Sequence, residues 1–265
     1  MNLAGTIDST TGLAPSSKGQ LRRWNAAVGA VHLVQAIVIL AMSNSFTLPV
    51  SIAFVNGQPG TAPSPPDVVW NARIGPAVAL FLLFAAVDHL LMALPRINDW
   101  YLKGLRSGIN RARWSEYSIS ASIMMVLIAM VTGILNLPAL VAIFGANMAM
   151  ILFGLLMEAE NPPDRSRTTW WPFIFGSLAG LVPWIAVAMQ LVYTEQHSSN
   201  GIPAFVYGII VSLFICFNSF AVNMVLHYRR IGPWRSDVFT ERAYIMLSLV
   251  AKSLLAWQIF ANTLV

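Results

Sequence analysis

Seven apolar stretches, each close to or above the roughly 20 residues a helix needs to cross a bilayer, constrain this chain more than any other feature. They fall at about 24–44, 70–94, 113–135, 138–158, 171–194, 202–228 and 238–263. With 57% hydrophobic and 10% charged residues, the composition is that of a membrane protein. The expected fold is an all-α bundle of seven transmembrane helices over residues 21–265. A polar tail over 1–20 precedes it and lacks the apolar core of a signal peptide. Only "NLP" separates the third and fourth stretches, so they form a tight helical hairpin. The prolines of "ENPPD" end the fourth. The single cysteine, Cys216, excludes an intrachain disulfide framework.

Lysine and arginine set the orientation. The tail carries Lys18, Arg22 and Arg23. The second loop carries Arg96, Lys103, Arg106, Arg111 and Arg113, the fourth Arg165 and Arg167, and the sixth Arg229, Arg230, Arg235 and Arg242. Fourteen of the sixteen basic residues therefore gather at one side. Basic loops stay in the cytoplasm, so the N-terminus is expected inside and the C-terminus outside, in the cell membrane. The net charge of +5 belongs to this asymmetry and to anionic lipid, not to nucleic acid. In the long first outer loop, "PVSIAFV" followed by "NGQPG" predicts a short β-hairpin; a flexible proline-rich loop is the alternative.

Ionisable residues inside the spans carry the chemistry. Lys252 sits in the middle of "YIMLSLVAKSLLAWQIF", about 15 Å beyond Arg242 at ~1.5 Å per residue. An ammonium there needs a counter-charge or loses its proton. Glu116, in "RWSEYSIS", is the natural partner. His32, Asp88 and His89 fall in the same cytoplasmic half, and Ser248 precedes Lys252 by one turn on the same face. Each has a plainer reading. Lys252 can be a structural ion-pair partner, Glu116 an interfacial residue paired with Arg113, and each histidine a hydrogen-bonding core residue. Asp88 reads as interfacial. "GSLAG", Gly176 to Gly180, fits a small-residue helix-packing face. A lysine amine condenses with an aldehyde, and seven spans with a lysine in the last suggest a retinal protein. No enzymatic or metal-ligating constellation is expected.

The segments "RAYIMLSLVAKSLLAWQIF", "RWSEYSIS", "AIFGANMAMILFG", "LAGLVPWI" and "FVYGIIVSLFICFNSFA" resemble heliorhodopsins, the inverted-topology retinal proteins. The resemblance covers all seven spans and agrees with the orientation read from the charges. It implies all-trans retinal bound covalently to Lys252 as a protonated Schiff base, with Glu116 as counterion and Ser248 hydrogen-bonding nearby. It implies a retinal pocket that includes Tyr117, Met124, Asn147, Ile151, Gly154, Trp184, Phe217 and Asn218. His32 and His89, with Gln35, match the family's proton-accepting polar cluster. Asp88 departs from the uncharged residue expected beside the histidine. The implied function is light sensing: isomerisation to 13-cis, a slow photocycle, and signalling through a cytoplasmic partner rather than ion pumping, in a homodimer built partly on the outer hairpin. A light-driven or light-gated proton transporter is the alternative. The outer half of the bundle is poor in carboxylates, with Asp67 and Glu195 at loop edges, which speaks against an outward proton relay.

Overall fold

The computed structural model describes residues 15–265. Most of the expected tail, residues 1–14, lies outside the described residues; where it is described, it is already helical. Helix α1 spans Pro15–Met42, starting earlier than its apolar run. The polar start of α1 is held by Lys18 Nζ donating to Asp99 at 2.8 Å and Arg22 Nε donating to the Ala93 carbonyl at 2.8 Å.

Strands β1 (Thr47–Ile52) and β2 (Asp67–Arg73) follow as an antiparallel pair, with a register irregularity at Val50/Ser51. The expected hairpin is present, but its second strand is "DVVWNAR". In the sequence, residues 70–73 of that segment read as the start of the second span, while Asp67 and Val68 read as the end of the outer loop. In the structure the segment is extended and exposed, and helix α2 (Ile74–Ala93) begins only after Arg73. The turn "NGQPG" lies within a long connection rather than closing the strands directly. Ser51 N donates to the Leu135 carbonyl at 2.9 Å, tying β1 to the turn between two later helices.

Helix α3 (Pro95–Arg106) occupies what reads as a loop in the sequence. It is too short and polar to span a membrane. Asn98, Tyr101 and Leu102 face the bundle, while Arg96, Asp99, Trp100, Lys103 and Arg106 face outward. Its end is a Schellman turn: Gly108 N donates to Leu105 O and Ile109 N to Gly104 O, with Gly108 at φ 78°.

Then come α4 (Arg111–Val131), α5 (Leu137–Ala159), α6 (Trp171–His197), α7 (Ala204–Tyr228) and α8 (Asp237–Ile259), which ends in a π-helical turn over Phe260–Leu264. The α4–α5 connection is longer than "NLP": α4 stops at Val131, Gly133 takes φ 100°, and the Asn136 side chain caps α5 by accepting from Ala139 N. Asn110 and Ser236 cap α4 and α8 in the same way. Pro183 lies inside α6 without dividing it.

Among the described residues, seven helices, α1, α2 and α4–α8, are long and apolar enough to cross a membrane. They alternate in direction. One end of the bundle, the tail end, holds the start of α1, α3 and the 160–170 loop. The other holds the β-hairpin and the chain terminus, where Asn44 N donates to Leu264 O at 3.0 Å. Neighbours pack in the order α6–α5–α4–α2–α1–α8–α7. Helix α4 is the most enclosed of the seven. Its central place explains why Glu116 and Tyr117 are buried so near its start.

Candidate functional site

Lys252 lies on α8 with its side chain sealed from solvent. Its Nζ donates to Glu116 Oε2 at 3.0 Å and to Ser248 Oγ at 2.9 Å. The ring of Tyr117 lies beneath, 4.6 Å from Nζ, and adds a cation–π contact. The Tyr117 hydroxyl donates to the Tyr244 carbonyl at 3.0 Å, which fixes that ring across α4 and α8. Lys252 and Glu116 are both 4% exposed. Removing either partner would strand a buried charge, and that costs far more than the pair gains. Glu116 Oε1 has no hydrogen-bond partner among the described residues, so the carboxylate keeps accepting capacity toward the site.

A second buried ion cluster stands one turn nearer the tail end. Arg113 Nη1 binds Glu241 and Nη2 binds Glu158, joining α4, α8 and α5. Asn110 completes both acids: its N–H donates to Glu158 Oε2 and its side-chain amide to Glu241 Oε1, each at 2.8 Å. The guanidinium lies over the Tyr244 ring at 4.0 Å. Tyr101, on α3, donates its hydroxyl to Glu241 at 2.9 Å. Burial first, and then the adjacent carboxylate, push that phenol well above its ordinary range, so it remains a donor. This cluster removes the alternative in which Glu116 pairs with Arg113. Sequence reasoning missed Glu158 and Glu241. The available signal was Arg113 itself: a guanidinium carried into a helix bundle requires acids on neighbouring helices.

His32 and His89 meet between α1 and α2, ring on ring, at 6.0 Å and 15°. His89 Nδ1 pairs with Asn25 Oδ1 at 2.8 Å. The other three ring nitrogens have no hydrogen-bond partner among the described residues, although both rings are buried. Buried polar atoms are normally bonded, so the pair keeps donor and acceptor capacity that the fold does not use. Gln35 bonds elsewhere, exchanging hydrogen bonds of 2.9 and 3.0 Å with Ser253, the residue after Lys252. Asp88 is half-buried beside His89.

A cavity of about 280 Å³ opens from Lys252 and Ser248 into the bundle. Of the residues anticipated for it, Tyr117, Met124, Ile151, Gly154, Trp184, Phe217 and Asn218 line it. Asn147 does not: it is buried behind the wall and its amide donates to Ser122 Oγ at 3.2 Å. Trp114 and Phe220 line the cavity and were not anticipated. Trp184 stands edge-on to Phe214 and Phe217, at 5.1 and 5.8 Å. Gly154 is required by this shape, because a Cβ there would run into the Trp114 ring. Gly176 and Gly180 also line the cavity. Through them α6 packs closely on Phe153 and Met150 of α5, as a small-residue face should.

The donor set suits a long conjugated aldehyde. A single amine stands at one end for the carbonyl carbon. A carboxylate 3.0 Å from that amine balances a cation, and apolar and aromatic walls receive a hydrocarbon chain. Seven spanning helices around such an amine define a retinal-binding membrane protein of the rhodopsin class. The chain belongs to the heliorhodopsin family, whose family model matches residues 21–264, nearly its whole length. No curated protein matches it. Membership makes it a multi-pass, light-sensing rhodopsin whose retinal is held by a lysine.

Proposed function

We propose that the protein is a light sensor in which Lys252 holds all-trans retinal and Glu116 balances the charge at the linked nitrogen. The observation that carries this reading is the burial of Lys252 at the mouth of an apolar cavity, 3.0 Å from Glu116. The chain has three lysines, and the other two, Lys18 and Lys103, lie outside the bundle interior. Bound retinal supplies visible absorption and a photoisomerisation to 13-cis.

The protein's own residues do the rest. Glu116 and Ser248 orient the nitrogen of Lys252 and hold its proton between them. The aromatic walls exclude water and confine the chain of the chromophore. His32 and His89, toward the tail end, offer nitrogens that can accept a proton leaving Nζ. Toward the hairpin end the polar contacts near Lys252 are uncharged, Gln35 with Ser253 and Ser212 with Gln258. Among the described residues, the unpaired imidazole nitrogens near Lys252 lie on its tail side and the polar contacts next to it on the hairpin side are uncharged, which supports sensing over pumping. The concentration of basic residues at the tail end supports an orientation with that end on the cytoplasmic side of the cell membrane. Signalling through that surface to a partner, a slow photocycle, and a homodimer using the hairpin complete the reading.

Regeneration with all-trans retinal is expected to produce a visible band that Lys252→Ala lacks. A band that survives this substitution sinks the assignment of Lys252. Flash photolysis with simultaneous photocurrent recording tests sensing: sustained light-driven current means transport instead.

A further inference from the structure

A second cavity, of about 160 Å³, lies at the tail end and shares no lining residue with the first. It fills the angle between α3, the turn at 107–110 and the start of α4. Its walls are Trp100, Lys103, Ser107 and Arg111, and its floor is Tyr101 and Asn110. Gly104 makes the angle possible. A Cβ there would stand 2.7 Å from the Ile109 carbonyl, so a larger residue would force open the turn that closes the cavity.

The charges around it are unbalanced. Lys103 and Arg111 are exposed and form no ion pair among the described residues. The acid on α3, Asp99, is bound to Lys18. The acids beneath the floor, Glu158 and Glu241, are bound to Arg113. The lining thus presents an ammonium and a guanidinium, and no carboxylate, while the Ser107 hydroxyl donates to the Gly104 carbonyl at 2.9 Å. A tetrahedral oxyanion accepts from both together, and the fork of an arginine suits it.

The surroundings indicate which oxyanion. Helix α3 follows the apolar helix α2 after a single residue, Leu94, which is 50% exposed. Trp100, at the cavity wall, is 49% exposed. An exposed indole beside cations at the end of a spanning helix is the pattern of the headgroup level of a bilayer. We propose that this cavity binds the phosphate of an anionic phospholipid headgroup through Lys103 and Arg111, with Trp100 against the lipid. The inference is independent of the retinal assignment and of which leaflet the tail end faces.

Native mass spectrometry of the full, delipidated chain tests it, with phosphatidylglycerol, phosphatidylcholine and inorganic phosphate as separate probes. One phosphatidylglycerol is expected to be retained in preference to phosphatidylcholine and not displaced by an equal concentration of phosphate. The variant K103Q/R111Q is expected to weaken that first association by roughly 30-fold for two charges. The variant R23Q/R96Q removes the same charge from exposed positions outside the cavity and should bind as wild type does. Equal loss in both variants, or none in K103Q/R111Q, overturns the site. Displacement by free phosphate overturns the lipid assignment. If the double variant does not fold, Lys103→Gln alone should show roughly fivefold weakening, and unchanged binding by it overturns the site.

Discussion

Arg113 and Glu116 stand three residues apart on one helix, and they do not pair. Residues at this spacing are neighbours on a helix surface, and opposite charges there usually meet. Here the Arg113 guanidinium is taken by Glu158 and Glu241 from two other helices, and Glu116 turns to Lys252. One guanidinium, three carboxyl groups and one amine are thereby sorted into two separate sites. The cluster at Arg113 leaves the carboxylate of Glu116 free to serve the cavity.

Removing Arg113 should therefore damage the fold rather than the colour alone. Arg113→Gln leaves two buried acids without their cation, at a cost of about 3–5 kcal/mol. Thermal melting should fall sharply. Replacing Glu158 and Glu241 by leucine together with Arg113→Met should recover most of the loss, since a buried cluster removed whole costs little. Melting of Arg113→Gln at the wild-type temperature contradicts the account.

Glu116→Gln should move the acid–base colour transition to lower pH. A carboxylate beside the nitrogen favours its charged form. Without that carboxylate the charged form is lost at lower pH than in the wild type. Spectrophotometric titration measures this directly, and an unchanged midpoint means that another group balances the charge.

Gly154→Ala should reshape the cavity by driving a methyl group into the Trp114 ring. Overpacking of this kind costs about 1–3 kcal/mol. Retinal uptake should slow and the absorption maximum shift. Trp114→Leu combined with Gly154→Ala should reverse part of the effect, and a double-mutant cycle gives the coupling. Additive effects would place the ring elsewhere.

Substituting phenylalanine at both His32 and His89 should impair the light-driven loss of the proton from the Lys252 nitrogen. Both rings are buried and three of their nitrogens are not used by the fold. Flash photolysis is expected to show a slowed or diminished deprotonated species. If its yield and rate match the wild type, the acceptor is a different group.

The spanning helices and the Lys252–Glu116 pair are legible in the sequence because each is a local contrast. A lysine in an apolar run stands out, and so does an acid beside it in depth. Other features fail for identifiable reasons. Helix α3 carries five charged or polar residues among twelve, so a search for apolar length passes over it. Its amphipathic face becomes visible only at helical periodicity. The end of strand β2, from Trp70, reads as the start of a membrane helix because it runs directly into the apolar stretch that follows, yet the strand stands exposed outside the bundle. Glu158 and Glu241 acquire meaning only when α5 and α8 meet α4. The positions of Gln35 and Asn147 likewise depend on the neighbours Ser253 and Ser122, which no spacing rule supplies.

The bond from Ser51 N to the Leu135 carbonyl has a mechanical consequence. It anchors the turn after α4 to the β-hairpin at one end of the bundle, while Arg113 clamps the start of α4 to α5 and α8 at the other. Helix α4 is pinned at both ends and serves as a fixed strut. Glu116 rides on that strut as a stationary reference charge.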